Sequence, residues 1–309
     1  MKNYRFLLFS LVILSATSYG QAGNVNAIAT FSADSLRNKG VDSLGPWKSG
    51  GFINLNFSQV SLSNWAPGGE GSFSLASNSN LYANYDKGRT RWDNLLLLSY
   101  AIQKTSSESV RKTDDQIDFT TKYGYRFSPA SKWYYSLLAN FKSQFANGYE
   151  YPNDSVVVSH FLAPAFLVGS FGFTYRPTDY FEVFISPVSS RFIIVNDATL
   201  AAEGRYGVKD GKRTRKEFGA YLNARFRKEI MTNVTLATRL ELFDNYTDEV
   251  KSNRTNVDVN WETGILMKVN KLLTASVIFQ VVCDDNVLKQ TQYRQVIGVG
   301  LGYKFTNGK

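Results

Sequence analysis

The candidate catalytic residues of this chain centre on its single histidine, His160, which follows Ser159. An imidazole beside a hydroxyl can drive acyl transfer when a ring nitrogen takes the hydroxyl proton. On a strand, residues two apart share a face, but position 162 holds leucine and Ser159 points away from His160. Asp154 and Asp114–Asp115 match a histidine–aspartate protease by residue type alone. The sequence therefore predicts no catalytic residues.

Metal and cofactor sites are also expected to be absent. One histidine and one cysteine exclude a multi-histidine zinc site, a thiolate cluster and an intramolecular disulfide. Carboxylates gather at Asp244, Asp248 and Glu249 and at Asp284–Asp285, and carboxylate oxygens are the ligands that Ca²⁺ prefers. Their spacing matches no calcium-binding loop, so we expect solvated carboxylates, no metal and no cofactor.

Apolar and polar residues alternate with period two from Trp47 onward. In Val234–Leu242, for example, the even positions are mainly apolar, while Arg239 and Glu241 stand between them. This alternation places one face of a strand in an apolar medium and the other among polar groups. We predict twelve strands, at 47–59, 71–85, 89–104, 115–128, 131–146, 159–176, 179–188, 216–228, 231–245, 255–269, 271–283 and 294–305.

The lengths of these strands and of their connections predict the fold class. Most exceed the ~5–6 residues of a soluble strand and reach the ~9–11 that a tilted bilayer-spanning strand needs. Tight turns at 86–88, 129–130, 177–178, 229–230 and 270 alternate with long connections at 60–70, 105–114, 147–158, 189–215, 246–254 and 284–293. Spanning strands must close because hydrocarbon leaves no backbone group unpaired. The sequence predicts an all-β, transmembrane antiparallel β-barrel with short periplasmic turns and long extracellular loops. A soluble barrel or sandwich is the alternative.

The N-terminus has the pattern of an export signal. Lys2 and Arg5 precede the apolar stretch Phe6–Leu14, and small residues lead to a cleavage site before Gln21. An N-terminal anchor helix is the alternative, although the apolar stretch is too short to span a bilayer. We predict a signal peptide at 1–20, a flexible periplasmic segment at 21–46 and an outer-membrane β-barrel at 47–309.

The overall composition excludes two other classes of protein. A mean hydropathy of −0.24 does not fit a polytopic helical membrane protein, and 15% aromatic residues do not fit a disordered chain. Aromatic rings cluster at predicted strand ends, where they suit the interfaces of a bilayer: Trp92, Trp133, Tyr135, Phe171, Phe173, Tyr175, Tyr303 and Phe305. The alternating last strand resembles the C-terminal signal of barrel-insertion machinery, apart from the trailing Thr306–Lys309. Expected partners are that machinery, outer-membrane lipid and lipopolysaccharide.

The charged residues that share the polar faces are assigned to the lumen. The seven acids are Asp93, Asp118, Glu182, Glu217, Glu241, Asp258 and Glu262, and the seven bases are Lys122, Arg126, Lys142, Arg225, Arg227, Arg239 and Lys304. A one-signed ring selects one sign of ion, whereas a balanced lumen selects weakly or is closed by paired charges. The sequence predicts a narrow, weakly selective channel for small polar solutes. A closed structural or accessory barrel that acts through loops, partners or lipid contacts is the alternative, and a barrel lipase or protease is a weaker one.

The longest predicted loop, 189–215, is rich in basic residues: Arg191, Arg205, Lys209, Lys212, Arg213 and Arg215. On the outer rim, such a loop could bind lipopolysaccharide phosphates or an acidic polysaccharide through charge-assisted hydrogen bonds. An ordinary solvated loop is the alternative. Nucleic acid is not an expected partner in this compartment.

A segment near the start of the predicted barrel, 52–70, carries a family resemblance. The residues of the pattern are Asn56, Gln59, Asn64, Trp65, Gly68, Gly69 and Glu70. The segment resembles an uncharacterised outer-membrane barrel family of the Bacteroidota, described only as a domain of unknown function. The resemblance implies a secreted barrel along the whole mature chain and brings no established activity. The amides of the pattern suit glycan binding, or pin the glycine-rich loop.

Overall fold

The computed structural model describes residues 45–62, 70–209, 211–247, 257–285 and 288–307. The predicted signal peptide and nearly all of the predicted periplasmic segment lie outside these residues, so both stay predictions. No helix within the described ranges is long and apolar enough to cross a membrane.

Twelve strands form one closed antiparallel barrel, as the period-two pattern predicts. The strands of the barrel are β1 Trp47–Val60, β2 Ser72–Lys87, β3 Thr90–Thr105, β4 Arg111–Arg126, β5 Trp133–Ser143, β8 Ala165–Thr178, β9 Phe181–Ile194, β10 Thr214–Met231, β11 Val234–Asn245, β12 Val257–Lys268, β13 Leu273–Asp284 and β14 Leu288–Asn307. Each pairs with its sequence neighbours in the barrel, and β1 closes the ring against β14. Two short strands, β6 Gly148–Tyr149 and β7 Val157–Ser159, and the helix α1 Ala198–Ala202 lie in the connections.

Three of the predicted long connections are shorter in the structure. Strand β4 already begins at Arg111, and Asp284 pairs with Leu288 across what was predicted as a ten-residue loop. Strand β9 continues past Pro187 to Ile194, because the register shifts there and forms a bulge. A bulge accommodates proline, which cannot donate to the ladder. The predicted loop 189–215 is therefore reduced to 195–213.

The outer wall of the barrel is apolar. On β1, Ile53, Leu55 and Phe57 are 43–56% exposed, whereas the alternating Phe52 and Asn54 are 7% and 1% exposed. Aromatic pairs lie on this wall near both rims, for example Trp47–Trp92 at the end with the short turns and Phe218–Tyr246 at the end with the long loops. An apolar band between two aromatic girdles is the surface of a barrel that spans a bilayer. The predicted transmembrane fold class is thus confirmed.

Side chains from β1 fill the inner wall opposite the glycines of β14. A Cβ atom on Gly302 would lie 2.5 Å from Cζ of Phe52, which is buried in the lumen. Glycine at this position lets the first and last strands approach each other with Phe52 packed between them. The seam that closes the barrel therefore depends on a side chain being absent.

We expect a Gly302→Val substitution to destabilise the barrel by about 1–3 kcal/mol, because the new side chain displaces Phe52 from a filled interior. Urea unfolding of the refolded protein, followed by loss of the unboiled gel band that migrates anomalously, measures this. Gly169→Val is the matched control, since a Cβ at Gly169 has no atom within 4 Å. Equal stability of the two variants would contradict this account of the seam.

Candidate functional site

A cluster of five charged side chains, here called the central network, crosses the middle of the lumen. Its members are Asp118, Lys142, Arg239, Glu241 and Glu262. Nζ of Lys142 lies 3.1 Å from Oε2 of Glu241 and 3.9 Å from Oδ2 of Asp118. The guanidinium of Arg239 lies 3.8, 3.9 and 3.7 Å from carboxylate oxygens of Asp118, Glu241 and Glu262. Three acids and two bases thus meet around one point.

The central network joins opposite walls of the barrel. In the order of the ring, β4 with Asp118 and β11 with Arg239 lie five strands apart of twelve. The side chains of Asp118, Arg239 and Glu262 are no more than 4% exposed. An inward polar side chain in a water-filled pore would contact solvent, so the network blocks the lumen at this level.

Neighbouring side chains complete the block. The hydroxyl of Tyr221 and the amide of Asn223 both donate to Oε1 of Glu241, at 3.1 and 3.0 Å. The amide of Asn140 donates to Oδ1 of Asp118 at 2.6 Å. Leu138 and Phe184 pack with Tyr221 in a buried apolar cluster beside the network. Charged, amide and apolar groups together fill the cross-section.

A second ionic cluster surrounds Arg191 near the loop rim. Its guanidinium contacts Glu217, lies 2.5 Å from Asp258 and 3.9 Å from Asp284, and stacks over the ring of Phe243 at 4.3 Å. The side chain is 12% exposed. The predicted strand ended at 188, and unbroken period two from Phe184 would have placed Arg191 outward, since only the bulge near Pro187 turns it inward.

The prediction of Arg191 and Arg215 as loop residues is wrong. Both lie in strands, because β9 and β10 extend into the predicted loop, and both contact the buried carboxylate of Glu217. Of the other basic residues of that loop, Arg205 pairs with Glu203 at 2.8 Å, and Lys212 and Arg213 are exposed. Lys209 lies in the same connection and has an interaction partner. The basic patch on the rim is smaller than expected.

Near the short turns, a third set of charges lines the lumen. Lys122 contacts Glu182, and Arg176 lies 4.0 Å from the same carboxylate. Nε of Arg225 donates to Asn223 at 2.9 Å, and the guanidinium of Arg126 bonds the hydroxyl of Tyr134 at 2.6 Å. Asp93 pairs with Arg91 at 2.9 Å. Arg227 faces the same space, and Lys304 lies near the end of β14.

The fourteen predicted lumen charges are unevenly distributed along the barrel axis. Toward the long loops lie three acids and one base, namely Glu217, Glu241, Asp258 and Lys142, while Asp118 lies at the middle of β4. Toward the short turns lie five bases and two acids, namely Lys122, Arg126, Arg225, Arg227, Lys304, Asp93 and Glu182. Arg239 and Glu262 lie at the middle of their strands. Among these fourteen residues, acids therefore predominate toward the long loops and bases toward the short turns, while Arg191 and Arg215 add two bases at the loop end.

The connections 144–164 and 195–213 fold against each other over the loop rim. Ala163, Val195 and Leu200 belong to a small buried apolar cluster that joins them. The carboxylate of Asp115 accepts the amide N–H groups of Phe145 and Ala146, both at 2.8 Å, and so fixes the start of the first connection to β4. Sequence patterning does not reveal this cap, since its residues are scattered along the chain.

His160 connects the two halves of this cap. Its Nε2 lies 3.1 Å from Oδ2 of Asp197, and its Nδ1 lies 3.0 Å from the carbonyl oxygen of Phe161. Both partners are acceptors, so neither ring nitrogen is placed to take a proton from a hydroxyl. Of the acids weighed with it, Asp114 lies 3.6 Å from Arg294, and Asp154 is exposed. The geometry therefore offers His160 a structural role.

We expect the cap to loosen in acid. The pKa of Asp197 is held below its ordinary value, first by the backbone N–H of Leu200 and then by His160. A depressed carboxylate pKa stabilises the fold above the unfolded value of about 4, and this contribution is lost as pH falls through the folded pKa. Amide hydrogen exchange of 195–209, corrected for intrinsic rates, should rise more between pH 7 and pH 3 in the wild type than in Asp197→Asn.

The control for this comparison is Asp154→Asn, at an exposed position of the same cap. It should keep the wild-type pH response. An Asp197→Asn protein with an undiminished acid response would show that another group controls the cap.

The residues of the family-like pattern are only partly described. Asn56 lies on β1, with its side chain against the inner faces of Gly298 and Gly300, and Gln59 is exposed near the end of the same strand. Asn64, Trp65, Gly68 and Gly69 lie outside the described residues. Across the part of the chain that the structure describes, no group of three or more histidine, cysteine or carboxylate side chains could hold a metal ion. Asp248 and Glu249 are not among those residues.

The chain is similar to several outer-membrane proteins of known structure. The COG4313 outer membrane channel from Pseudomonas putida F1 is 12% identical, with 86% of this chain and 97% of that chain covered and a TM-score of 0.41. The NanC porin is 10% identical, with 82% and 98% covered and a TM-score of 0.37. Outer membrane phospholipase A from Escherichia coli is 12% identical, with 82% and 92% covered and a TM-score of 0.36. No curated protein matches the sequence. A family described as a protein of unknown function, DUF3078, matches residues 57–149, from the end of β1 to β6.

Proposed function

We propose that this chain is an outer-membrane β-barrel that acts as a narrow, weakly selective channel for small polar solutes, with the central network as its constriction. The observation that carries the proposal is a lumen lined by polar and charged side chains and closed at one level by ion pairs. Ion pairs between flexible side chains can rearrange and offer charged groups to a passing ion, whereas an apolar constriction excludes ions by dewetting. The apolar outer band and the export-like N-terminus support the location.

A closed accessory barrel is the second candidate, because the charged side chains at the constriction are almost completely buried. In that case the function would lie in the cap, in the basic residues Lys212 and Arg213, and in the lipid-facing wall. Lipopolysaccharide and outer-membrane lipid remain the proposed partners there, and the insertion machinery is proposed for biogenesis alone. We propose no nucleic-acid partner, no cofactor and no catalysis.

Single-channel recording in a planar bilayer with a salt gradient tests the channel. We expect small, weakly selective current steps from protein whose folding is verified by its different migration before and after boiling. Silence from folded protein would favour the accessory barrel. Lipid hydrolysis that His160→Ala abolishes would overturn the non-catalytic assignment.

A further inference from the structure

A cavity of about 50 Å³ opens at the short-turn end of the lumen, below the central network. Here it is called the lower vestibule. Four bases and three acids line it: Lys122, Arg176, Arg225, Arg227, Asp93, Asp179 and Glu182. Tyr82, Asn84 and Thr120 add neutral hydrogen-bonding groups to the same lining. The vestibule lies in the basic half of the lumen and combines excess positive charge with polar groups.

The acids of the vestibule leave part of the positive charge unneutralised. Glu182 is shared by Lys122 and Arg176. Asp179 lies 3.4 Å from Arg176, but its side chain is 72% exposed, so solvent weakens that pair. Glu182, the solvated Asp179, and Asp93, which also pairs with Arg91, thus face four lining bases.

Among the bases that line the vestibule, Arg176 has a buried donor that forms no hydrogen bond. Its side chain is only 8% exposed, and its buried Nη1 lies 4.0 Å from Oε2 of Glu182, beyond hydrogen-bond distance, with no hydrogen-bond partner among the described residues. A buried donor of a charged group without a partner costs free energy, so such donors are uncommon unless a ligand or water completes them. Arg225 faces the same cavity, and its Nε bonds the neutral side chain of Asn223.

We infer that the lower vestibule binds small solutes through an oxyanion group, a phosphate or a carboxylate, held by Arg176 and Arg225. Guanidinium groups match the geometry of both oxyanions and form charge-assisted hydrogen bonds to them. The inference adds a solute class to the proposed channel. Transport of that solute rests on the proposed function. Binding itself requires no conduction, because the cavity lies on one side of the constriction.

Titration calorimetry of the refolded full chain with inorganic phosphate, citrate and glucose tests the site. We expect saturable heat with phosphate or citrate and none with glucose, and the stronger anion identifies the preferred group. Arg176→Gln and Arg225→Gln should each weaken binding about tenfold or more, whereas Arg225→Lys should lose less because it retains the charge. Lys132→Gln is the matched control, since Lys132 is an exposed base near the same rim that does not line the cavity.

The outcomes separate the site from the channel. Saturable anion binding with silent bilayers would leave the site in place and contradict conduction. Conduction without saturable binding would support the channel and contradict the anion site. Binding that Lys132→Gln weakens as much as Arg225→Gln would overturn the vestibule as the site and indicate diffuse attraction to a basic rim.

Discussion

The charge-neutral double variant Arg239→Ala/Glu262→Ala is expected to increase the single-channel conductance roughly threefold or more, because the narrowest level of a pore dominates its resistance. Arg239 is the central base of the network, and Glu262 lies 3.7 Å from it. Removing both side chains empties volume at the level where Asp118 and Glu241 face each other across the lumen.

Removing the pair together matters for this experiment. Deleting one partner of a buried ion pair leaves an uncompensated charge and costs about 3–5 kcal/mol, whereas removing both partners leaves no such charge at that pair. The double variant Lys132→Ala/Asp154→Ala makes the same change in charge at two exposed positions and should conduct like the wild type. A folded Arg239→Ala/Glu262→Ala barrel that conducts no better than this control would mean that the network is not the constriction.

Replacing Arg191 with methionine is expected to cause the largest loss of stability, about 3–5 kcal/mol, since the substitution leaves buried carboxylates without their shared cation. Glu217, Asp258 and Asp284 all lie within reach of this guanidinium, while Arg215 would neutralise only Glu217. Urea unfolding of the refolded barrel, monitored by far-ultraviolet circular dichroism, measures the loss.

Two further variants separate electrostatics from packing at Arg191. Adding Glu217→Gln and Asp258→Asn to Arg191→Met should recover part of the lost stability, because fewer charges then remain unpaired. Arg205→Ala, which removes a partly exposed arginine paired with the exposed Glu203, should change stability by no more than about 1 kcal/mol. A loss at Arg191 that the added amides do not relieve would assign its role to the stack on Phe243.

The strands were predictable because the membrane imposes a local rule. Lipid on one side and a polar lumen on the other enforce period two along every strand, so Asp118, Arg239 and Glu262 could be placed inward from parity alone. Which of them meet depends on register and on strand order around the ring, neither of which leaves a pattern in the sequence. Arg191 was missed for a local reason, the bulge at Pro187.

The cap was less predictable than the barrel. Its connections obey no period, and the apolar side chains that hold them together, such as Ala163 and Leu200, stand far apart in the sequence. Asp115 and Asp197 were visible as acids, but their roles depend on backbone N–H groups that only the folded chain presents. The end of the lumen at which a charged residue lies depends on the direction of its strand, and that direction reverses with every turn.

The seam between β1 and β14 also constrains the order in which this barrel can fold. Its ladder runs from Ser49–Asn307 to Asn56–Gly300, so one edge of the first strand pairs with β2 and the other can pair only with the last strand. Contacts between such distant segments form slowly, because chain entropy must be lost before they stabilise anything. During assembly, β1 presents one unpaired edge until β14 arrives, and an unpaired edge is a template for aggregation. The chain therefore needs protection from misassociation for as long as its last strand is undelivered.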